Sequence, residues 1–227
     1  MNAKSLPYIL ILPVTVFLGV FFIYPFILVS QQAFQSGAGV GLSNFENVFS
    51  HWKFPISLKN TLYLAAAVVP LQLGLALLMA VLVTKMQRGR DLVIYIWTIP
   101  LGISDLAAGI IWLVIFDQSG FLNSIMQSVG AIDRPINLLS YQSPGLVFLA
   151  IALAEIWRAT AIILVILVAG IGLIPKEYYE AAEVFGANGW QRFLRVTLPL
   201  LRPSLSTALV LRVILAFEVF AVVQALG

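Results

Sequence analysis

Apolar residues in this chain mostly occur in long unbroken runs, without the strict alternation of a half-buried strand. Five runs, at 6–29, 61–84, 92–116, 144–174 and 203–225, are long enough to cross a bilayer core as helix, which takes roughly 20 residues. Strands of a membrane barrel would alternate apolar and polar positions in short segments, and none of these runs does. A helix also satisfies its backbone polar groups within itself, as lipid requires. The pattern predicts an all-α, polytopic membrane bundle with five spans in this chain.

Polar residues interrupt the runs at few points. The run at 61–84 carries no charge, whereas 92–116 contains Pro100 and Asp105. Glu155 and Arg158 lie in the fourth run, and Arg212 and Glu218 in the fifth. A charge at mid-bilayer is costly unless it is paired or faces water, so each is a candidate for a solute pathway, an ion pair or an interfacial position. Glu155 and Arg158 are spaced i, i+3 and can pair on one helix face. Arg212 and Glu218 fall on different faces and call for different partners. Asp105 is the best pathway candidate, because Pro100 and Gly102 can break the helix just before it. Trp112 joins Asp105, Glu155 and Arg158 in that candidate set, although Trp97, Trp112 and Trp157 also suit interfacial anchoring. Gly74, with Ala67 and Leu71, offers a close-packing helix face.

Composition removes the other classes. Hydrophobic residues make up 61% of the 227 positions and charged residues 10%, more apolar than a soluble fold of this size can bury. With no Cys, the chain has no disulfide, iron–sulfur cluster or thiolate zinc site. A single histidine, His51, argues against a His-based metal centre or catalytic triad. The net charge of +3 is scattered and leaves no nucleic-acid footprint. The first run is longer than the apolar core of a secretory signal, so it reads as a span. With a cytoplasmic N-terminus, Lys4, Lys85, Arg88, Arg90, Lys176, Arg192, Arg195 and Arg202 face inward, against Lys53, Lys59 and Arg134 outside. That is the positive-inside bias of a plasma- or inner-membrane protein. Five spans then place Gly227 outside, directly after an apolar run, which raises the expectation of a missing C-terminal helix.

One inward segment, 175–203, is too polar to span and too patterned to be a linker. Pro175 suits the first turn of a helix, and Glu177 and Glu180 complement its dipole. Tyr178, Ala182 and Phe185 form one apolar stripe, and Gly186 can close the helix in a left-handed conformation. A second short helix is expected over 189–197, capped by Asn188 and ended by Pro199. Trp190, Phe193 and Leu194 share a face of it, with Gln191, Arg192 and Arg195 on others. Such a helix–turn–helix either docks into a groove on another protein or rests on headgroups.

The residues themselves weigh on that choice. Glu180-Ala181-Ala182, three residues, Gly186, nine residues and Val196-Thr197-Leu198-Pro199 resemble the EAA loop of ABC importer permeases. The family pattern ends Ile-x-Leu-Pro, so Val196 is the one departure. Asn60-Thr61-Leu62, Arg90 through Pro100, Trp112, Gly120, Asn123 and Trp157-Arg158 resemble the carbohydrate-uptake branch, the maltose and glycerol-phosphate permeases.

The resemblance implies a transmembrane domain over 1–227, with 175–199 as a cytoplasmic coupling loop. Relatives usually carry a Gly-Gly-Pro loop and a further helix beyond this point, giving six or more spans. The implied assembly has a second permease subunit in a heterodimer, two ATP-binding subunits and an extracytoplasmic substrate-binding protein, all within membrane lipids. Glu177, Glu180, Ala181, Ala182, Gly186, Leu198 and Pro199 would carry ATPase coupling. The chain lacks a G-x-x-x-x-G-K-[ST] run, so ATP and magnesium are expected on the partner ATPase, with no cofactor or catalytic site on this chain. The implied cargo is a sugar or sugar-like solute. Import of a polyamine or other phosphate ester, secondary transport and a non-transporting membrane scaffold stand as alternatives.

Overall fold

The computed structural model describes residues 6–36, 39–140 and 142–226, so Lys4 lies outside the described residues. The chain divides into two units, Met1–Lys59 and Asn60–Gly227.

The first unit is built on one apolar rod. Helix α1 (Leu6–Leu18) passes through a π-helical turn, Gly19–Ile23, into α2 (Tyr24–Phe34). Pro25 accounts for the turn. Proline donates no hydrogen bond and its ring crowds the carbonyl four residues back, so the backbone widens ahead of it. The Tyr24 N–H accordingly bonds to the Gly19 carbonyl. Helix α3 (Ser43–Ser50) supplies Asn44, whose Nδ2 donates to the carbonyls of Gln32, Ala33 and Gln35 at 2.8–3.3 Å. These carbonyls lie at the end of α2, where the helix has few N–H groups left to offer; the Gln32 carbonyl also accepts from the Gln35 N–H. A minimal antiparallel ribbon, β1 (Gln35–Ser36) with β2 (Gly39–Val40), links the two helices.

Helix α4 (Lys53–Thr84) begins before its apolar run and carries the chain into the second unit. The third run is broken, as Pro100 and Gly102 predict. Helix α5 (Arg90–Thr98) ends in a 3-10 turn over Ile99–Gly102, and α6 (Asp105–Phe116) restarts under a Ser104 cap. The Ser104 hydroxyl accepts from the Ala107 N–H at 3.3 Å. A short α7 (Phe121–Ser128) precedes α8 (Pro144–Gly172), the long central helix.

The polar segment folds as α9 (Lys176–Val184), α10 (Gly189–Arg192), a π-helical turn over Phe193–Thr197 and α11 (Leu198–Leu200). Pro199 does not end this helix as expected. It repeats the arrangement at Pro25, with the Leu198 N–H bonded to the Phe193 carbonyl. The axis instead bends by 65° between Leu200 and Arg202, where α12 (Arg202–Phe217) begins. Among the described residues, four helices are long and apolar enough to cross a membrane, or five if this bent pair is one span. The number is close to the five runs, but the third candidate span is Asp105–Ser128 and the bent pair begins at Gly189, so the bounds of the third and fifth runs shift.

The fifth run departs from expectation in not being one helix. Helix α12 stops at Phe217, with Glu218 as its exposed C-cap, and α13 (Ala221–Leu226) packs on α6 instead. Gly109 makes room for it. A Cβ there would lie 2.7 Å from the Ala225 Cβ and 3.2 Å from the Val222 Cα. Helix–helix contacts in lipid rely on such small residues, since burial against lipid tails adds little.

The second unit has two apolar layers. One joins Leu64 and Val68 of α4, Ile151 and Ala154 of α8, and Val222 and Leu226 of α13. The other joins Ala76 and Ala80 of α4, Ile163, Leu164 and Leu167 of α8, and Leu201 and Ala208. On α4 the buried stripe is therefore 64, 68, 72, 76 and 80, at every fourth residue. Gly74 is exposed and a Cβ on it would meet nothing within 4 Å, so the close-packing face expected there lies elsewhere. Helices α8 and α12 approach closely at Gly170, where a Cβ would sit 2.3 Å from the Ser204 Oγ. Between the two layers, α4, α8 and α12 each contribute a buried polar residue: Gln72, Glu155 and Arg212.

Candidate functional site

These polar residues form a ladder that runs from the bundle interior toward its surface. Arg212 Nη2 lies 2.9 Å from Glu155 Oε2, while its Nε donates to Gln72 Oε1. Gln72 closes the arrangement, its Nε2 donating to the Glu155 backbone carbonyl at 2.7 Å. On the other side, Arg158 Nη2 is 3.3 Å from Glu155 Oε1 and its Nη1 is 2.8 Å from Asp105 Oδ1. Two carboxylates thus meet two guanidiniums, which keeps the cluster neutral and lowers the cost of holding charge away from water.

Exposure rises along the ladder. The side chains of Arg212 and Glu155 are 1% and 0% exposed, Arg158 is at 19% and Asp105 at 47%. Glu155, which engages both arginines, is sealed from solvent. Asp105 opens α6 at the break in the third run, where the first-turn N–H groups favour a carboxylate. Trp112, on the same helix, meets Trp157 edge to face at 6.1 Å and stacks on Phe116 at 5.4 Å. Buried N–H groups of Trp112 (Nε1), Arg158 (Nε) and Arg212 (Nη1) find no acceptor.

Sequence spacing anticipated the Glu155–Arg158 pair and the separate fates of Arg212 and Glu218. It missed the Arg212–Glu155 and Arg158–Asp105 contacts, and it passed over Gln72. The available signal was that Gln72 is a lone amide within a charge-free run. Among the described residues, no three His, Asp or Glu side chains gather as a metal ion would require.

The 175–199 segment is built locally. Pro175 sits one position earlier than expected, as the cap of α9, and Glu177 lies in the first turn. Gly186, at φ +75°, ends that helix. Its N–H bonds to the Glu183 carbonyl at 2.8 Å and the Ala187 N–H to the Ala182 carbonyl at 2.9 Å, a Schellman closure. Asn188 then caps α10 in a reciprocal capping box with Gln191. Two contacts tie the arms: Tyr179 Oη meets Thr197 Oγ1 at 3.1 Å, and Arg192 pairs with Glu183.

The outer side of this helix–turn–helix is apolar and uncovered. Phe185 and Val184 are 89% and 85% exposed, and Tyr178, Trp190 and Leu194 are exposed as well. Glu177, Glu180 and Ala181 lie exposed along α9, with Ala182 half-buried, while Leu198 and Pro199 are half-buried on the second arm. So many exposed large apolar side chains in one short polar segment, with Glu177 and Glu180 exposed beside them, suit an interaction face.

Residues 72–227 match the family "Binding-protein-dependent transport system inner membrane component". The chain is 36% identical to the probable ABC transporter permease YesP of Bacillus subtilis, over 84% of this chain and 61% of that protein. It is 34% identical to the trehalose/maltose transport system permease MalF of Thermococcus litoralis, over 82% of this chain and 62% of that protein. The sn-glycerol-3-phosphate permease UgpA of Agrobacterium fabrum is 32% identical over 98% of this chain and 77% of its own length. The chain thus spans about three fifths of the first two relatives. Among solved structures, a bacterial ABC transporter that imports the acidic polysaccharide alginate superposes with a TM-score of 0.82 at 26% identity, covering 94% of this chain and 74% of that one. This chain belongs to the inner-membrane component family of binding-protein-dependent transport systems, as a multi-pass membrane protein.

Proposed function

We propose that this family member is a permease subunit of an ATP-driven, binding-protein-dependent importer for a sugar or sugar-like solute, coupled through the 175–199 loop. The observation that carries the coupling assignment is the preformed helix–turn–helix with an uncovered apolar face and exposed Glu177 and Glu180. Closure of a partner ATPase dimer around ATP and magnesium would move this rigid element and, through the bend at Leu201, α12. Ala181 and Ala182 allow close approach, Gly186 makes the turn, and Leu198 and Pro199 begin the transmission into the span.

The carbohydrate assignment draws on relatives named for trehalose and maltose, sn-glycerol-3-phosphate and arabinooligosaccharides. A solved relative in complex with an alginate-pentasaccharide-bound periplasmic protein supports an extracytoplasmic binding protein as partner. A second permease subunit and two ATPase subunits complete the proposed assembly, and the N-terminus is assigned to the cytoplasm by the basic-residue bias. Asp105, Arg158 and Trp112 are the proposed pathway residues. Asp105 and Arg158 are partly exposed, and Trp112 adds an aromatic face and an unpartnered N–H. Glu155, fully enclosed, positions the two arginines.

The test is ATP hydrolysis by the complex in lipid, with and without a panel of sugar-loaded binding proteins. One loaded protein is expected to stimulate hydrolysis, and Gly186→Asp or Ala182→Arg to abolish that stimulation while the complex still inserts. Normal transport by both variants would remove the coupling assignment; indifference to every binding protein would remove import.

A further inference from the structure

A cavity of about 720 Å³ lies where the 175–199 loop meets the ends of two spans. Its apolar walls include Val81 near the end of α4, Ile171 near the end of α8, and Phe193 of the loop. Its charged lining is Lys85, Arg192 and Glu183. Arg192 and Glu183 neutralise each other as an ion pair. Lys85, one residue beyond α4, is exposed and makes no ion pair among the described residues. An unpaired lysine therefore lies at the lining of a crevice in which Val81, Ile171 and Phe193 stand beside polar Thr84, Gln87, Tyr179 and Thr197, close to the ends of two candidate spans.

We propose that this cavity binds the phosphate headgroup of an anionic phospholipid, with Lys85 as its cationic partner. The chemistry matches on both sides of the boundary. A basic pocket at helix ends selects anionic headgroups, and the Val81 and Ile171 walls accept the upper acyl chain. A free phosphate would satisfy Lys85 but leave those apolar walls wet. The bound headgroup bridges α4 and the loop, so it stiffens the attachment of the loop to the spans. The inference rests on the permease reading only for the leaflet that the cavity faces.

Native mass spectrometry of the chain purified with its partner subunits tests it. The complex is incubated with phosphatidylglycerol or with phosphatidylcholine of the same acyl chains. At least one phosphatidylglycerol per chain should be retained in preference to phosphatidylcholine. Lys85→Glu and Lys85→Gln should each retain one fewer, Lys85→Arg should match the parent, and millimolar inorganic phosphate should not displace the lipid. Equal retention of the two lipids, an unchanged count in both charge-removing variants, or displacement by inorganic phosphate would overturn the proposal. The readout needs no transport. A chain that keeps the lipid but shows no binding-protein stimulation would sink the importer reading and leave this one standing.

Discussion

Two carboxylate–guanidinium pairs in this chain show how differently the same chemistry is used. Glu183 and Arg192 are nine residues apart across one turn, with side chains 59% and 30% exposed. Glu155 and Arg212 are 57 residues apart on different helices, with side chains 0% and 1% exposed. The first pair spans a turn set by a cap and a glycine within a few residues of it. Water screens it, and such pairs contribute about 0–1 kcal/mol. The second exists only once α4, α8 and α12 have packed, and water cannot replace either partner. The loop thus leaves large apolar side chains uncovered, whereas the charges of the ladder are paired within the bundle, with Arg158 Nε and Arg212 Nη1 left without an acceptor.

Breaking the ladder should have the largest effect. Glu155→Leu leaves two arginines without their shared carboxylate and is expected to cost about 3–5 kcal/mol. Thermal unfolding in detergent should show that loss, and Glu155→Leu with Arg212→Met should recover much of it. A single variant as stable as the parent would mean that the interior is wet. Next, Gly170→Val pushes a side chain into Ser204 and should cost about 1–3 kcal/mol. Gly74→Ala, on an open face of α4, should be neutral or stabilise by up to about 1 kcal/mol in the same assay. In the loop, Asn188→Ala removes the capping box at a cost of about 1 kcal/mol. It should speed hydrogen exchange at the Gln191 amide without moving the unfolding midpoint of the spans. Asp105→Asn, at the half-exposed end of the ladder, should cost less than about 1 kcal/mol. If it instead destabilises as much as Glu155→Leu, the graded burial of the ladder is illusory.

Much of this was legible before any coordinates. The loop's turn followed from Gly186 and its second cap from Asn188, because both are set by φ and by side chains within three residues. The break ahead of Asp105 followed from Pro100 and Gly102 for the same reason. Pro199 misled. Proline marks where the backbone must deviate, but a π-helical turn relieves the conflict as well as a helix end does, and packing of Thr197 and Leu201 favours the former. Gly74 misled in a similar way, since a small residue permits close approach without specifying which helix arrives.

The sequence by itself determined the apolar runs, the separation of a polar loop from the apolar bundle, and the turn at Gly186 with its cap at Asn188. These depend on hydrophobicity summed over a window and on torsional preference at single residues. Only the tertiary structure decided that Arg212 reaches Glu155, that Gln72 joins them, and that α13 folds onto Gly109 instead of extending α12. Those outcomes depend on which helix faces meet. In a chain where nearly every face is apolar, hydrophobic patterning cannot choose among them, and the choice falls to a few small and polar residues far apart in sequence.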